Sequence, residues 1–176
     1  MRVIELYAGP GAGKSTTAAG LFNAMKLMGL KVELVTEFVE DLTYGQRLHE
    51  LGNQLYVLAH QEARQARLQG QVDWVITDSP LLLSNVYVLH SRFDSEAFRE
   101  TVREASRQYD RVPFFMNRSA DYQTYGSGQT REEAMGLDEE IFEVAWNEFD
   151  MDLTSVTRSV NAPSTIIAHL FARGLL

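Results

Sequence analysis

Residues Ala8-Gly9-Pro10-Gly11-Ala12-Gly13-Lys14-Ser15 constrain this chain more than any other stretch. They fit the pattern G-x-x-x-x-G-K-[ST], with Ala8 in the first glycine's place, where only small size is required. Glycines let successive backbone N–H groups turn inward as a nest around phosphate oxygens. A helix leaving such a nest adds the partial positive charge of its N-terminus. The pattern therefore has meaning only between a strand and a helix, and both are predicted. Arg2 to Tyr7 is apolar and β-prone apart from Glu5. From Ser15 to Met28, residues Ala18, Leu21, Phe22, Met25 and Met28 recur at helical spacing, and Gly29 is placed to stop the helix. Gly9, Pro10, Gly11, Ala12, Gly13, Lys14, Ser15 and Thr16 are thus expected to wrap the phosphates of a nucleoside triphosphate. Lys14 would reach the β- and γ-phosphates, and the Ser15 hydroxyl would ligate Mg²⁺.

The remaining chain repeats the alternation. Lys31 to Phe38 reads as a second strand, Trp74 to Thr77 as a third, Val112 to Met116 as a fourth, and Leu153 to Thr157 as a short fifth. Between them, Tyr44, Leu48, Leu51, Leu55 and Leu58 mark one face of a long helix ending near Gly70. Another helix is predicted over Ser95 to Tyr109. Thr130 and Glu133 have capping-box spacing for a short helix, Ile141 to Phe149 suggests a separate one, and a last helix runs from about Pro163 to Arg173. Strands alternating with helices imply an α/β fold, a mostly parallel sheet of about five strands covered on both faces. Ligands in such folds bind at the carboxyl ends of the strands.

With 176 residues, no repeat and no linker, the chain is read as one domain, residues 1–176. Its net charge of −8 gives no prior support for a nucleic-acid binder. The lack of cysteine excludes disulfides and thiolate chemistry, and the four histidines show no metal-ligand spacing. No apolar run approaches the roughly 18 residues of a membrane span, and the N-terminus does not read as a signal peptide. The expectation is a soluble protein of the cytoplasm with no membrane partner.

Three uses of a bound triphosphate compete: transfer of its γ-phosphoryl to an acceptor hydroxyl, an ATPase switch acting with a protein partner, and a GTP-binding switch. The segment Gly13 to Ala19 resembles the partitioning ATPases, but their signature lysine is replaced by Gly9. The Asn-Lys-x-Asp motif of Ras-type GTPases is absent, since Arg118 and Ser119 follow Asn117. Phosphoryl transfer needs a group at the acceptor hydroxyl, a carboxylate near Mg²⁺ and cations around the transferred group. Glu37, ending the second strand, is the candidate base or orienting group, against the alternative of a solvated loop carboxylate. Asp78, ending the third, is the candidate Mg²⁺ carboxylate, against a mere cap for the turn at Ser79-Pro80. Arg118 and Arg131 are the only cations between Asn117 and Asp152. With Gly126 and Gly128 as hinge residues, they suggest a lid over about residues 117–136 that closes on the phosphates and excludes water.

Taken together, Glu37, Asp78-Ser79 and the arginine-bearing lid resemble the nucleoside and nucleotide kinase superfamily, including thymidylate kinases. The runs Leu6 to Thr17, Val32 to Glu37, Trp74 to Pro80 and Tyr122 to Thr130 resemble small bacteriophage P-loop kinases. Some of these phosphorylate 5-hydroxymethyluracil in phage DNA. The resemblance implies a P-loop NTPase three-layer sandwich, ATP and Mg²⁺ as cofactors, and a host-cytoplasm location if phage-encoded. It also implies a Gly-Arg pair in the lid, where this chain has Gly126-Ser127 and Arg131 is the available replacement.

For the acceptor, the resemblance ranks 5-hydroxymethyluracil DNA first, with a free nucleoside or nucleoside monophosphate as the alternative. The residues themselves point the other way. Arg92, Arg99, Arg103 and Arg107 form a basic stripe, but Glu96, Glu100 and Glu104 interleave with it at salt-bridge spacing. Residues Glu132 to Asp152 hold nine carboxylates and no Lys or Arg. Phe38, Tyr44 and Tyr56 are available to stack on a small acceptor's base, or to serve as core.

Overall fold

The computed structural model describes residues 1–89, 91–118 and 131–176, with the side chains of residues 131–134 and 151 outside that description. Strand β1 (Arg2–Tyr7) runs into the glycine-rich turn, and helix α1 (Lys14–Leu27) leaves it. There follow β2 (Val32–Val35), α2 (Phe38–Tyr44), α3 (Gln54–Ala66), β3 (Trp74–Thr77), α4 (Ser84–Tyr87), α5 (Glu96–Arg107), β4 (Asp110–Asn117), α6 (Arg131–Phe149), β5 (Thr154–Thr157) and α7 (Ala162–Ala172). The five strands form one sheet in the order β2-β3-β1-β4-β5, and every pairing is parallel.

That order sets the position of the site. The chain passes over β1 on its way from β3 to β4, so the carboxyl end of β1 lies between those of β3 and β4, where the strand order reverses. Glu5 pairs with Thr77, and Val35 pairs with Thr77 on the other side. Asp78 therefore emerges next to both the turn after β1 and the loop after β2.

Alternation along β1 builds two cores. Ile4, Leu6 and Ala8 face α1 and α7, with Leu21, Met25, Ile166 and Leu170. Val3 and Tyr7 face the opposite layer, with Phe98, Val102 and Ile141. Each large side chain so buried contributes about 1.5–3 kcal/mol, enough to cover both faces of the sheet and produce the three-layer arrangement.

Three expectations are corrected. The long helix through Tyr44 and Leu58 is interrupted: α2 stops at Tyr44, Gln46 takes a left-handed φ of 56°, and a 3₁₀ turn spans Leu48–Glu50. Asn53 then restarts the helix by accepting a hydrogen bond from the Tyr56 N–H. Tyr44, Leu48 and Leu55 consequently face solvent, although the periodicity suggested a buried stripe. Strand β2 is also shorter than expected, because the Phe38 N–H donates to Gln61 Oε1 at 2.8 Å and opens α2. Finally, the two helices predicted around Thr130–Glu133 and Ile141–Phe149 are one, α6. Gly136 within it has open space at its Cβ position, and one helical glycine costs only about 1 kcal/mol relative to alanine. No helix among the described residues is long and apolar enough to cross a membrane.

Candidate active site

The turn after β1 is closed by its own lysine. Lys14 Nζ donates to the carbonyls of Ala8 at 2.8 Å and Gly9 at 3.0 Å, which draws the ammonium over the loop. Crowding by the protein lowers the Lys14 pKa, while Glu37, Asp78 and Asp138 oppose that shift and Arg118 adds to it. These four charges thus gather on one ammonium from the ends of β2, β3 and β4 and from α6. Ser15 and Thr16 are exposed at the start of α1, with their hydroxyls accessible to a ligand. Gly13, at φ +90°, is required by its left-handed conformation, and Arg158 packs so close that Cδ would lie 2.8 Å from a Cβ there.

Asp78 is 3% exposed, and its Oδ1 is buried with no hydrogen-bond partner among the described residues. The turn at Ser79-Pro80 is held by Thr77, whose Oγ1 accepts from the Ser79 N–H at 3.1 Å, and not by Asp78. An unsatisfied buried carboxylate oxygen is costly unless something binds it. That observation fits a cation, and Asp78 with Ser15 could hold Mg²⁺ as sequence reasoning expected. No group of three or more His, Cys, Asp or Glu among the described residues could hold a metal alone.

Glu37 stands at the N-terminus of α2 in an extended conformation, without making a side-chain cap. Burial raises its pKa; Asp78 and Glu40 push the same way, and Lys14 opposes them. It lines a cleft of about 570 Å³ that starts at Pro10 in the glycine-rich turn and is walled by α2, α3 and the segment from Ser79 to Tyr87. Tyr44 and Tyr87 are the aromatic residues among its described lining. Phe38 is not available to stack on a ligand, because it is buried against His60 with ring centroids 4.4 Å apart. Tyr56 packs on the same pair, and its hydroxyl accepts from Arg47.

Arg118 follows β4 as predicted and forms an ion pair with Asp138 of α6. Asp138 Oδ1 in turn accepts from the Gly9 N–H at 2.6 Å. Arg131 opens α6, but its side chain lies outside the described residues, as do Gly126, Gly128 and most of the expected lid. The basic stripe on α5 is neutralised: Arg99 pairs with Asp94, Arg103 with Glu96 and Glu100, and Arg107 with Glu148.

Two residues at the turn escaped sequence reasoning. Asp138 was hidden in a run of nine carboxylates that looked like plain acidic surface. Arg158 packs on Gly13 and points Nη1 to the Gly11 carbonyl at 3.5 Å. Its position directly after β5 was the available signal, since residues at carboxyl ends of strands meet the ligand.

A glycine-lined turn between a central parallel strand and a helix, with lysine, hydroxyl and strand-end carboxylate converging on it, defines a nucleotide-binding P-loop domain of the NTPase type. The family model described as an AAA domain matches residues 4–162, and the chain belongs to that family. No curated protein sequence matches it.

Proposed function

We propose that the protein is an ATP-dependent phosphotransferase that moves the γ-phosphoryl group to a hydroxyl of a nucleotide-type acceptor. The observation that carries this reading is the cleft beginning at Pro10, with Glu37 on its wall. Its volume lies within the roughly 300–1,000 Å³ typical of small-molecule sites. A cavity of that size beside the phosphate loop, with a carboxylate on its wall, favours a small acceptor over a protein partner.

In this reading the loop N–H groups and Lys14 hold the phosphate tail in line with the cleft. Glu37 orients the acceptor hydroxyl and takes its proton as the acceptor oxygen bonds to phosphorus and the bridging P–O bond breaks, leaving ADP. Its raised pKa suits a carboxylate that must accept a proton. Asp78 and Ser15 would hold Mg²⁺, which when bound neutralises charge on the phosphates. Arg118, and Arg131 from the lid, supply positive charge to the transferred group.

The cleft supports a free nucleoside as acceptor over a phosphorylated one. Glu37 and Glu40 line it, and among the described residues none that lines it is Lys, Arg or His. Burial raises the Glu40 pKa, as do Asp78 and Asp41 nearby. Arg47 and Arg64, on the elements around it, are paired with Glu50 and Asp41. Helix α6 also exposes Glu139, Glu140 and Glu143, which adds acidic surface that does not favour DNA carrying 5-hydroxymethyluracil, the acceptor implied by resemblance to the phage kinases. The test offers γ-labelled ATP with nucleosides, nucleoside monophosphates, plain DNA and 5-hydroxymethyluracil DNA in separate reactions. Label is expected in a nucleoside, with little ATP consumed when no acceptor is present. Acceptor-independent hydrolysis stimulated only by a protein partner would overturn the kinase reading.

A further inference from the structure

We infer that Asp138 is a positioning residue that fixes Arg118 against the edge of the P-loop, so that γ-phosphate recognition depends on the seating of helix α6. The inference rests on the reading that this loop holds nucleotide phosphates.

One carboxylate here joins three elements. Oδ1 accepts from the Gly9 N–H at 2.6 Å and from Arg118 Nη2 at 3.1 Å, and Oδ2 accepts from Arg118 Nε. The two side chains are 14% and 17% exposed, so the pair is largely withdrawn from water. Two parallel N–H···O contacts fix the plane of a guanidinium as well as its distance. The contact is therefore directional and does more than supply charge.

Its location gives that orientation a purpose. Gly9 also offers its carbonyl to Lys14 Nζ at 3.0 Å, so the guanidinium is held beside the stretch of loop that the lysine covers. A lysine in this setting serves the β- and γ-phosphates. Arg118 lies just past the end of β4 at Asn117, and the carboxylate that meets its guanidinium comes from a different element. The anchor comes from α6 across a gap of 20 residues. A tilt of α6 would draw this carboxylate away from the loop N–H and the guanidinium together. The protein would then lose selectivity for the terminal phosphate while keeping the rest of the loop.

Equilibrium affinities for Mg·ATP and Mg·ADP test this without any knowledge of the acceptor. Asp138→Asn keeps an oxygen for the Gly9 N–H but removes the charge that holds Arg118. The preference for ATP over ADP should fall about tenfold in Asp138→Asn and similarly in Arg118→Ala. The double variant should be no worse than Arg118→Ala alone, because both changes remove one unit. An unchanged preference in Asp138→Asn, or multiplicative losses in the double variant, would overturn the inference while leaving the phosphate-loop reading intact. Failure of the unaltered protein to bind either nucleotide would overturn both. If Asp138→Asn does not fold, Arg118→Lys keeps the charge but loses the two-point contact, and the same tenfold fall is expected. Retention of the full preference in that variant would count against the inference.

Discussion

Two carboxylate clusters lie along β1, and they use burial in opposite ways. At its carboxyl end, Asp78 and Glu37 face Lys14 at the mouth of a cleft, and Asp78 Oδ1 has no hydrogen-bond partner among the described residues. Within the strand, Glu5 is 1% exposed and accepts from the Tyr7 hydroxyl at 2.7 Å. Near it, Glu148 is bound by Arg107 and by Arg111, the latter at 2.9 Å. Hydrogen bonds from these two arginines take Glu148 below its ordinary pKa despite its burial. The inner cluster thus meets its polar needs internally, whereas the outer one keeps capacity for a ligand. Buried charge alone does not distinguish a site from a structural network; the unspent hydrogen-bonding capacity does.

The comparison can be broken most sharply at Lys14. Lys14→Ala should cut phosphoryl transfer by about 10³-fold with an unchanged unfolding midpoint, as expected when charge stabilisation of the transferred group is removed. Turnover within a fewfold of normal would remove the outer cluster from the chemistry. Asp78→Asn probes the orphaned oxygen. The Mg²⁺ concentration giving half-maximal activity should rise at least about tenfold, in the range of lost metal-site contacts. An unchanged Mg²⁺ requirement would mean that the oxygen is spare for another reason.

The smallest functional effect is expected at Glu5. Burial, its main perturbation, raises its pKa from 4.5 to about 7, against the hydrogen bond from Tyr7 and the charge of Arg111. Below pH 4.5 the group is protonated in both the folded and unfolded chain, and the fold bears no penalty. As pH rises from there to about 7, the unfolded chain releases its proton first and stability falls. Above that window the full loss, about 3 kcal/mol, is in place. Glu5→Gln still accepts from Tyr7, so it should flatten this pH dependence in denaturant unfolding and raise stability at pH 8. Turnover should change less than twofold. A large loss of turnover would make the inner cluster part of the site and erase the distinction between the two.

How much of this was legible depended on whether the signal was local. The sequence from Arg2 to Met28 carries its own strand, turn chemistry and helical period, and the structure reproduces those elements to within a residue. The strand ends at Asp78 and Asn117 were also readable, because short apolar runs stop sharply there. Tyr44 and Leu48 misled, since a regular apolar period does not reveal that Gly45 and Gln46 end the helix between them. The buried turn and helix from Leu81 to Tyr87 was missed because its three leucines carry no period long enough to read. Asp138 was invisible for a deeper reason. Its meaning comes from Gly9, 129 residues away, and no local pattern encodes that contact.

The proposed activity depends on the turn after β1 binding the phosphates of a nucleoside triphosphate. Calorimetric titration of the protein with Mg·ATP tests it most directly. Saturable binding with a Kd below about 1 mM is expected, and it should weaken markedly in Lys14→Ala. No detectable heat at millimolar nucleotide from folded protein, with GTP offered as well as ATP, would contradict the account.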